Sequence, residues 1–379
     1  MPKRCLRWFV LGLGLCWLGP AWAMSVAFIN PGKPDEAYWA SASAAMAQAA
    51  RSLGVTLEVQ YAHRDHVQAL TLARQLAARA PADSPARPGL SASPIRPDYV
   101  IFTNDYGTGP EILRILEGSG IRSFMAFSAV HGRSREETGA PRTRHRLWLG
   151  SLEPQAEEAG YLTARALIAR AKAAGAVRAA DGKLQLLAIA GDRSTPSSIA
   201  RNAGMERAVA EAKDVVLVQQ VFGDWRRDKA AEQAAWLFQR YPAARLVWAG
   251  NDLMAFGAMD AWRARGGEPG KDAWFSGINT SEEAFASLRS GALSALAGGH
   301  FMAGAWALVM LFDYAHGVDF EAEGLEQQQP MFVLFDARLA QRLAQRLLDP
   351  AHPLDYRRYS KALNPQRQHY DFSLLPLLQ

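Results

Sequence analysis

Short β-branched or aromatic runs alternate with alanine-rich amphipathic stretches along most of this 379-residue chain, and no other feature narrows its fold as far. Residues 25–30 read as a strand, and 36–53 as a helix with apolar side chains at i, i+3, i+4 spacing. Strands at 55–61, 98–103 and 121–127 and helices at 66–78 and 110–117 continue the pattern. It resumes with a helix at 161–174 and strands at 184–190, 215–222, 245–249, 274–278 and 292–297. Helices at 197–212, 228–240, 253–265, 281–290 and 303–316 separate or follow those strands. Such alternation predicts an α/β fold of doubly wound parallel sheets with helices on both faces. The run Leu-Gln-Leu-Leu-Ala-Ile-Ala at 184–190 is almost continuously apolar, as a strand covered on both faces requires.

Two segments break the rhythm. Residues 79–97 hold five prolines (Pro81, Pro85, Pro88, Pro94 and Pro97) and read as a surface insertion. Residues 131–146 are polar and basic, with Gly132, Gly139 and Pro141, and read as a long solvated loop at the edge of a first lobe. Residues 331–335 and 337–348 add one more strand and helix, and a Pro-, Tyr- and Arg-containing tail then packs on a lobe surface. Trp236, Trp262 and Trp306 fall at helical spacing and are expected in the core.

The first residues read differently. Lys3, Arg4 and Arg7 precede an apolar run from Trp8 to Leu18, which Gly19 and Pro20 end. Ala21-Trp22-Ala23 places small residues at −3 and −1 of a cleavage site, so residues 1–23 are expected to be a signal peptide cleaved after Ala23 on export to the periplasm. The apolar run is shorter than the roughly 18–20 residues that span a bilayer. Both cysteines, Cys5 and Cys16, lie in this leader, so disulfides, thiolate catalysis and cysteine-ligated metals are not expected in the mature chain. The leader holds three of the 42 basic residues and none of the 37 acidic ones, which leaves 39 against 37. So even a balance does not suit a nucleic-acid partner. What remains is long enough for two compact lobes with full cores.

In open α/β sheets ligands bind beyond the carboxyl ends of the strands, where helix N-termini offer free N–H groups. The candidates there are Asn30, Tyr38, Trp39, Arg201, Trp225, Asn251, Asn279 and His300, with Asn104, Asp105, Ser128, Asp192 and Arg193 as further possibilities. Rings cover the C–H faces of a neutral polyhydroxylated ligand, while amides and a guanidinium supply directional hydrogen bonds to its hydroxyls. Structural roles compete at each place. Tyr38 and Trp39 are adjacent, so both cannot face one core. Asp252 is expected to cap the helix that follows it. Asn104-Asp105 and Asp192-Arg193 also suit local turns, and His300 suits a hinge. His63 and His66 lack a third ligand nearby, so no metal is assigned.

Several of these motifs give the chain a resemblance to the type I periplasmic binding proteins, which include ribose- and galactose-binding proteins. Val26-Ala-Phe-Ile-Asn30 with Tyr38-Trp39 resembles the family's first strand and its aromatic pair against the sugar ring. Arg201 with Gly204 resembles its R-x-x-G helix start, and Trp225 falls where a second stacking aromatic is found. Val247-Trp-Ala-Gly-Asn-Asp-Leu-Met-Ala-Phe-Gly257 is close to its A-x-N-D-x-M-A-x-G segment, in which Asn251 would contact ligand. Phe275-Ser-Gly-Ile-Asn279 resembles the V-G-F-D strand end with Asn279 for aspartate, and Gly291-Ala-Leu begins a G-x-L-x-A strand. An Asp-Arg pair after the fourth strand is replaced by Phe127-Ser128, and a hinge glutamine by Gly299 or His300. With carboxylates lost at two places, a modified sugar, a furanosyl signal or another small polar solute fits as well as a standard pentose or hexose.

The resemblance implies a two-lobed receptor that closes by hinge bending. Its N-terminal lobe is expected at 24–148 plus about 300–328, its C-terminal lobe at 149–299 plus about 329–348, and its tail at 349–379. Crossovers are expected near 148–151, 297–300 and 326–330. The partner is an ABC permease or a membrane sensor such as a kinase or cyclase; the sequence leaves both open. No cofactor and no catalytic residue is assigned, because no G-x-S-x-G, H-E-x-x-H, P-loop or G-x-G-x-x-G occurs. A sugar-responsive DNA-binding repressor would need a helix-turn-helix where the leader stands.

Overall fold

Two six-stranded sheets divide the chain, each assembled in the same spatial order. The computed structural model describes residues 24–81, 95–347 and 353–377. The leader at 1–23, most of the proline-rich insertion and residues 348–352 lie outside the described residues. The first lobe contains β1 (Ser25–Asn30), α1 (Ala37–Leu53), β2 (Thr56–Tyr61), α2 (His66–Ala77) and β3 (Tyr99–Phe102). It continues with α3 (Gly109–Glu117), β4 (Arg122–Ala126), α4 (Gly132–Thr138) and β5 (Trp148–Pro154). The second contains α5 (Ala156–Ala173), β6 (Leu184–Ala190), α6 (Pro196–Glu211), β7 (Val215–Phe222) and α7 (Arg227–Arg240). It goes on through β8 (Leu246–Ala249), α8 (Asp252–Ala264), β9 (Trp274–Ile278), α9 (Glu282–Ser290) and β10 (Ala295–Gly298). The chain then returns to the first lobe with α10 (Ala303–Ala315) and β11 (Glu326–Gln329), and to the second with β12 (Val333–Leu334) and α11 (Ala337–Leu347).

The sheets run β11-β5-β4-β3-β1-β2 and β12-β10-β9-β8-β6-β7. Within each, the order reverses beside the first strand (β1 or β6), which creates a crevice at the carboxyl ends of the strands. Every pairing is parallel except β10 with β12, which is antiparallel. The expected all-parallel pattern therefore fails at one edge. Met331 to Phe335 leaves the other lobe and meets β10 directly, with no crossover helix to turn it around.

Local differences have local causes. The segment expected as a loop at 131–146 contains α4, a short helix with an Arg133–Glu137 ion pair at i, i+4 and no apolar stripe to betray it. Trp148–Pro154, expected only as a crossover, is a fully buried strand, so the first sheet keeps the chain beyond the boundary expected at 148. Trp262 and Trp306 are in the core, but Trp236 is 66% exposed. The buried face of α7 is set by Ala230, Ala234, Leu237 and Phe238, and position 236 falls off that stripe.

Candidate binding cleft

The carboxyl ends of both sheets face one cleft, and the backbone there is unusual. Among the described residues eight non-glycine residues have positive φ, and seven of them line the cleft: His63, Arg64, Tyr106, Phe127, Asp224, Trp225 and Asn279. All seven follow β2, β3, β4, β7 or β9 directly. Each such conformation costs about 1–3 kcal/mol, and its persistence marks a place where surrounding structure dictates side-chain direction. The lobes also touch, since the Tyr106 backbone N–H donates to Thr195 Oγ1 at 3.3 Å.

Between the lobes lies a small cavity with about 50 Å³ open to the centre of a water molecule. Tyr38, Trp39, Asp105, Phe127 and Ser128 line it from the first lobe, and Thr195, Arg201, Trp225, Asn251 and Asn279 from the second. Pro154, His300 and Phe332 complete it from the crossovers. It opens through Glu36, Arg64 and Trp225 into an outer groove of about 1390 Å³.

Aromatic rings form the walls. Tyr38 stacks on His300 at 4.7 Å between ring centres, and His300 stacks on Phe332 at 4.5 Å, so three segments of chain meet in one column. Trp39 packs edge-on against Phe127 at 5.2 Å. Its indole lies over the β1–α1 turn where a Cβ on Gly32 would come within 1.9 Å. Trp225 is anchored by its Nε1–H, which donates to Asp192 Oδ2 at 2.7 Å. The other Asp192 oxygen accepts from Ser194 and Thr195. Burial raises the pKa of Asp192, but these donors outweigh it and hold the carboxyl below its ordinary value.

The polar groups divide into spent and unspent. Arg201 is 6% exposed; its Nη1 donates to Gly250 O at 2.7 Å and its Nη2 to His300 Nε2 at 2.9 Å. An arginine cannot accept, so His300 Nε2 is the acceptor and the ring proton sits on Nδ1. Burial and the neighbouring guanidinium push the His300 pKa well below its ordinary value, which keeps the imidazole neutral. Arg201 Nε, His300 Nδ1, Trp39 Nε1 and Ser128 Oγ are buried with no partner. They are four of ten such atoms among the described residues, and the four side chains that carry them all line this one cavity. Asp105 accepts from Thr103 Oγ1 and stands 3.6 Å from Arg64; burial pushes its carboxyl up to about 6. Arg64 itself is paired with Glu36.

Other sequence candidates serve the frame. Asn30 Oδ1 accepts from Gly32 N and its amide donates to Ser43 Oγ, so it builds the turn and does not line the cavity. Asn104 bridges Ala129 O and Gly109 N and faces a separate groove at the other mouth of the cleft. Asp192 and Arg193 border the outer groove, where the Arg193 guanidinium covers Phe222 at 4.0 Å. Asn251 lines the cavity, but its Oδ1 accepts from Met254 N and caps α8. Asp252, expected as that cap, is instead the first helical residue. It accepts from Leu253 N, Asn279 Nδ2 and Ser281 Oγ, because the helix starts one residue earlier than its apolar pattern implied. Sequence reasoning missed Arg64, Glu36 and Phe332. Arg64 ends a strand as the chosen candidates do, but the nearby histidine pair drew the attention; Phe332 had no strand-end signal.

Comparison with known proteins follows this geometry. A family model described as a periplasmic binding protein domain matches residues 151–318. A periplasmic sugar-binding protein from Pseudomonas fluorescens is 38% identical, with a TM-score of 0.80 over 94% of this chain and 100% of that one. A galactofuranose-binding protein shares the fold at 15% identity and a TM-score of 0.66, over 86% of this chain and 98% of its own. An ABC transporter periplasmic solute-binding protein from Actinobacillus succinogenes with bound D-allose does so at 18% and 0.68, over 84% and 99%. No curated protein sequence matches the chain.

Proposed function

We propose, for a chain that belongs to the type I periplasmic sugar-binding proteins, that its lobes close on a small sugar or sugar-like molecule and deliver it to an ABC transporter. One observation carries the reading: four side chains that line a single aromatic-walled cavity between the lobes each hold a buried polar atom without a partner. Each orphan costs about 1–3 kcal/mol, and a hydroxylated guest returns that by hydrogen bonding while its C–H faces cover the rings. Its walls come from both lobes and all three crossovers, so filling the cavity favours the closed arrangement over the open one. The relatives are binding proteins, and the cleft is read here as one that captures without transforming its guest. Export to the periplasm with cleavage after Ala23 belongs to the same proposal, as does a permease partner in preference to a sensor.

A thermal-shift screen of monosaccharides against the mature chain tests it. A ligand at one hundred times its Kd stabilises the native state by about 2.7 kcal/mol, a clear rise in Tm. The rise should vanish in Trp225→Ala. Equal shifts in variant and wild type, or none with any sugar, would remove this cleft from consideration.

A further inference from the structure

Arg201 differs from the paired cations of the cleft. Arg64 holds Glu36, Lys229 holds Asp224, and Arg227 holds Asp260 and Glu283. The buried Arg201 guanidinium bonds only a carbonyl oxygen and a neutral imidazole nitrogen; no carboxylate pairs with it. A buried charge without a counter-ion is costly and is ordinarily compensated by an opposite charge. Burial pulls its pKa down to about 10 against the attraction of Tyr38, Asp252 and Asp105, which still leaves it charged at neutral pH.

The unpartnered nitrogens around it are donors. Arg201 Nε and His300 Nδ1 each present an N–H with no acceptor, on two side chains already joined at 2.9 Å. Trp39 Nε1 adds a third N–H and Ser128 a hydroxyl, both buried in the same cavity. The carboxylates closest to Arg201 are committed elsewhere: Asp252 accepts from Leu253, Asn279 and Ser281, and Asp105 lies on the opposite lobe beside Arg64. The cavity is therefore lined by a cation with surplus donors from the second lobe and by the acceptor Asp105 from the first.

We infer that the guest is a sugar acid, a polyhydroxylated molecule whose carboxylate accepts from Arg201 Nε–H and His300 Nδ1–H while its hydroxyls reach Asp105. The inference rests on the receptor reading above and narrows its ligand class. An ionised carboxylate supplies the missing counter-ion and charge-assisted hydrogen bonds, which are about twice as strong as neutral ones.

Titration calorimetry on the mature chain decides it. The probes are common pentoses and hexoses, each beside its uronate and aldonate, at neutral pH. At least one acid should bind about tenfold or more tightly than its parent sugar, and its methyl ester should lose that advantage in the wild-type protein. Arg201→Gln should erase the preference for the acid, with circular dichroism confirming the fold; the ester comparison stands even where the variant does not fold. Neutral sugars binding as tightly as their acids, or esters as tightly as free acids, overturn the inference and leave the receptor intact. Heat from no member of the panel overturns both.

Discussion

Trp225 shows how a single residue is made to serve a cleft. Its φ is +62°, a left-handed conformation that a bulky side chain adopts only under constraint. Asp192 fixes the indole N–H, and Gly191 lies so close that an added Cβ would stand 2.2 Å from Cζ2. Gly191→Ala should push the ring out of place and weaken ligand binding by about 1–3 kcal/mol, read by calorimetry. An unchanged affinity would mean that the ring does not touch the guest. Asp105 gives a pH signature. A carboxyl whose folded pKa exceeds its unfolded value supports folding fully below the unfolded value of about 4, and that support fades as pH rises through about 6. Asp105→Asn stays neutral, so without ligand its stability relative to wild type should rise by roughly 2–3 kcal/mol between about pH 4 and about pH 7. Urea titrations at the two ends check this, and a constant difference refutes it. Tyr38, Trp39, Arg201, Trp225, Asn279 and His300 were legible in the sequence because strand ends and helix starts are where such sites form, and all six line the cavity. What each does there was not legible. Which nitrogen lacks a partner depends on neighbours such as Gly250 and Asp252, which the fold brings in from elsewhere.

At the scale of elements, α5 and α6 pack closely enough to set the position of Arg201. A Cβ on Gly160 would come within 1.9 Å of Arg201 O, and one on Gly204 within 1.9 Å of Glu157 O. These contacts are backbone to backbone, so neither helix can yield by a side-chain rotation. Gly204→Ala should cost about 1–3 kcal/mol by overpacking, seen as a lower urea midpoint, and should reduce ligand affinity by moving Arg201. Full affinity with reduced stability would separate the helix pair from the site. The strand–helix alternation made most elements readable, since long apolar patterns report burial on one stripe or on both sheet faces. It failed for α4, which has no apolar stripe, and for β5, whose Gly150, Ser151 and Glu153 interrupt the apolar run. The antiparallel β12 is too short for any pattern to declare its direction.

At the scale of the molecule, the C-terminal tail is part of the first lobe. Phe372 stacks on Trp306 at 5.2 Å, Tyr359 and Tyr356 pack against the same indole, and Leu374 reaches Gly299 at the second crossover. Beneath them Asp313, fully buried on α10, accepts from Ser360 Oγ, Lys361 N, Ala362 N and Tyr370 OH. Asp313→Ala strands these donors and should destabilise the protein by about 3 kcal/mol or more in chemical denaturation, whereas a surface tail would show almost no effect. The sequence placed the tail on a lobe surface but not its aromatic anchors, because its proline and arginine content hides a cluster that becomes apolar cover only once folded. A consequence follows for the order of events in folding. Because the rings that cover Trp306 lie far along the chain from it, α10 cannot complete its packing until the tail has come back across the first lobe.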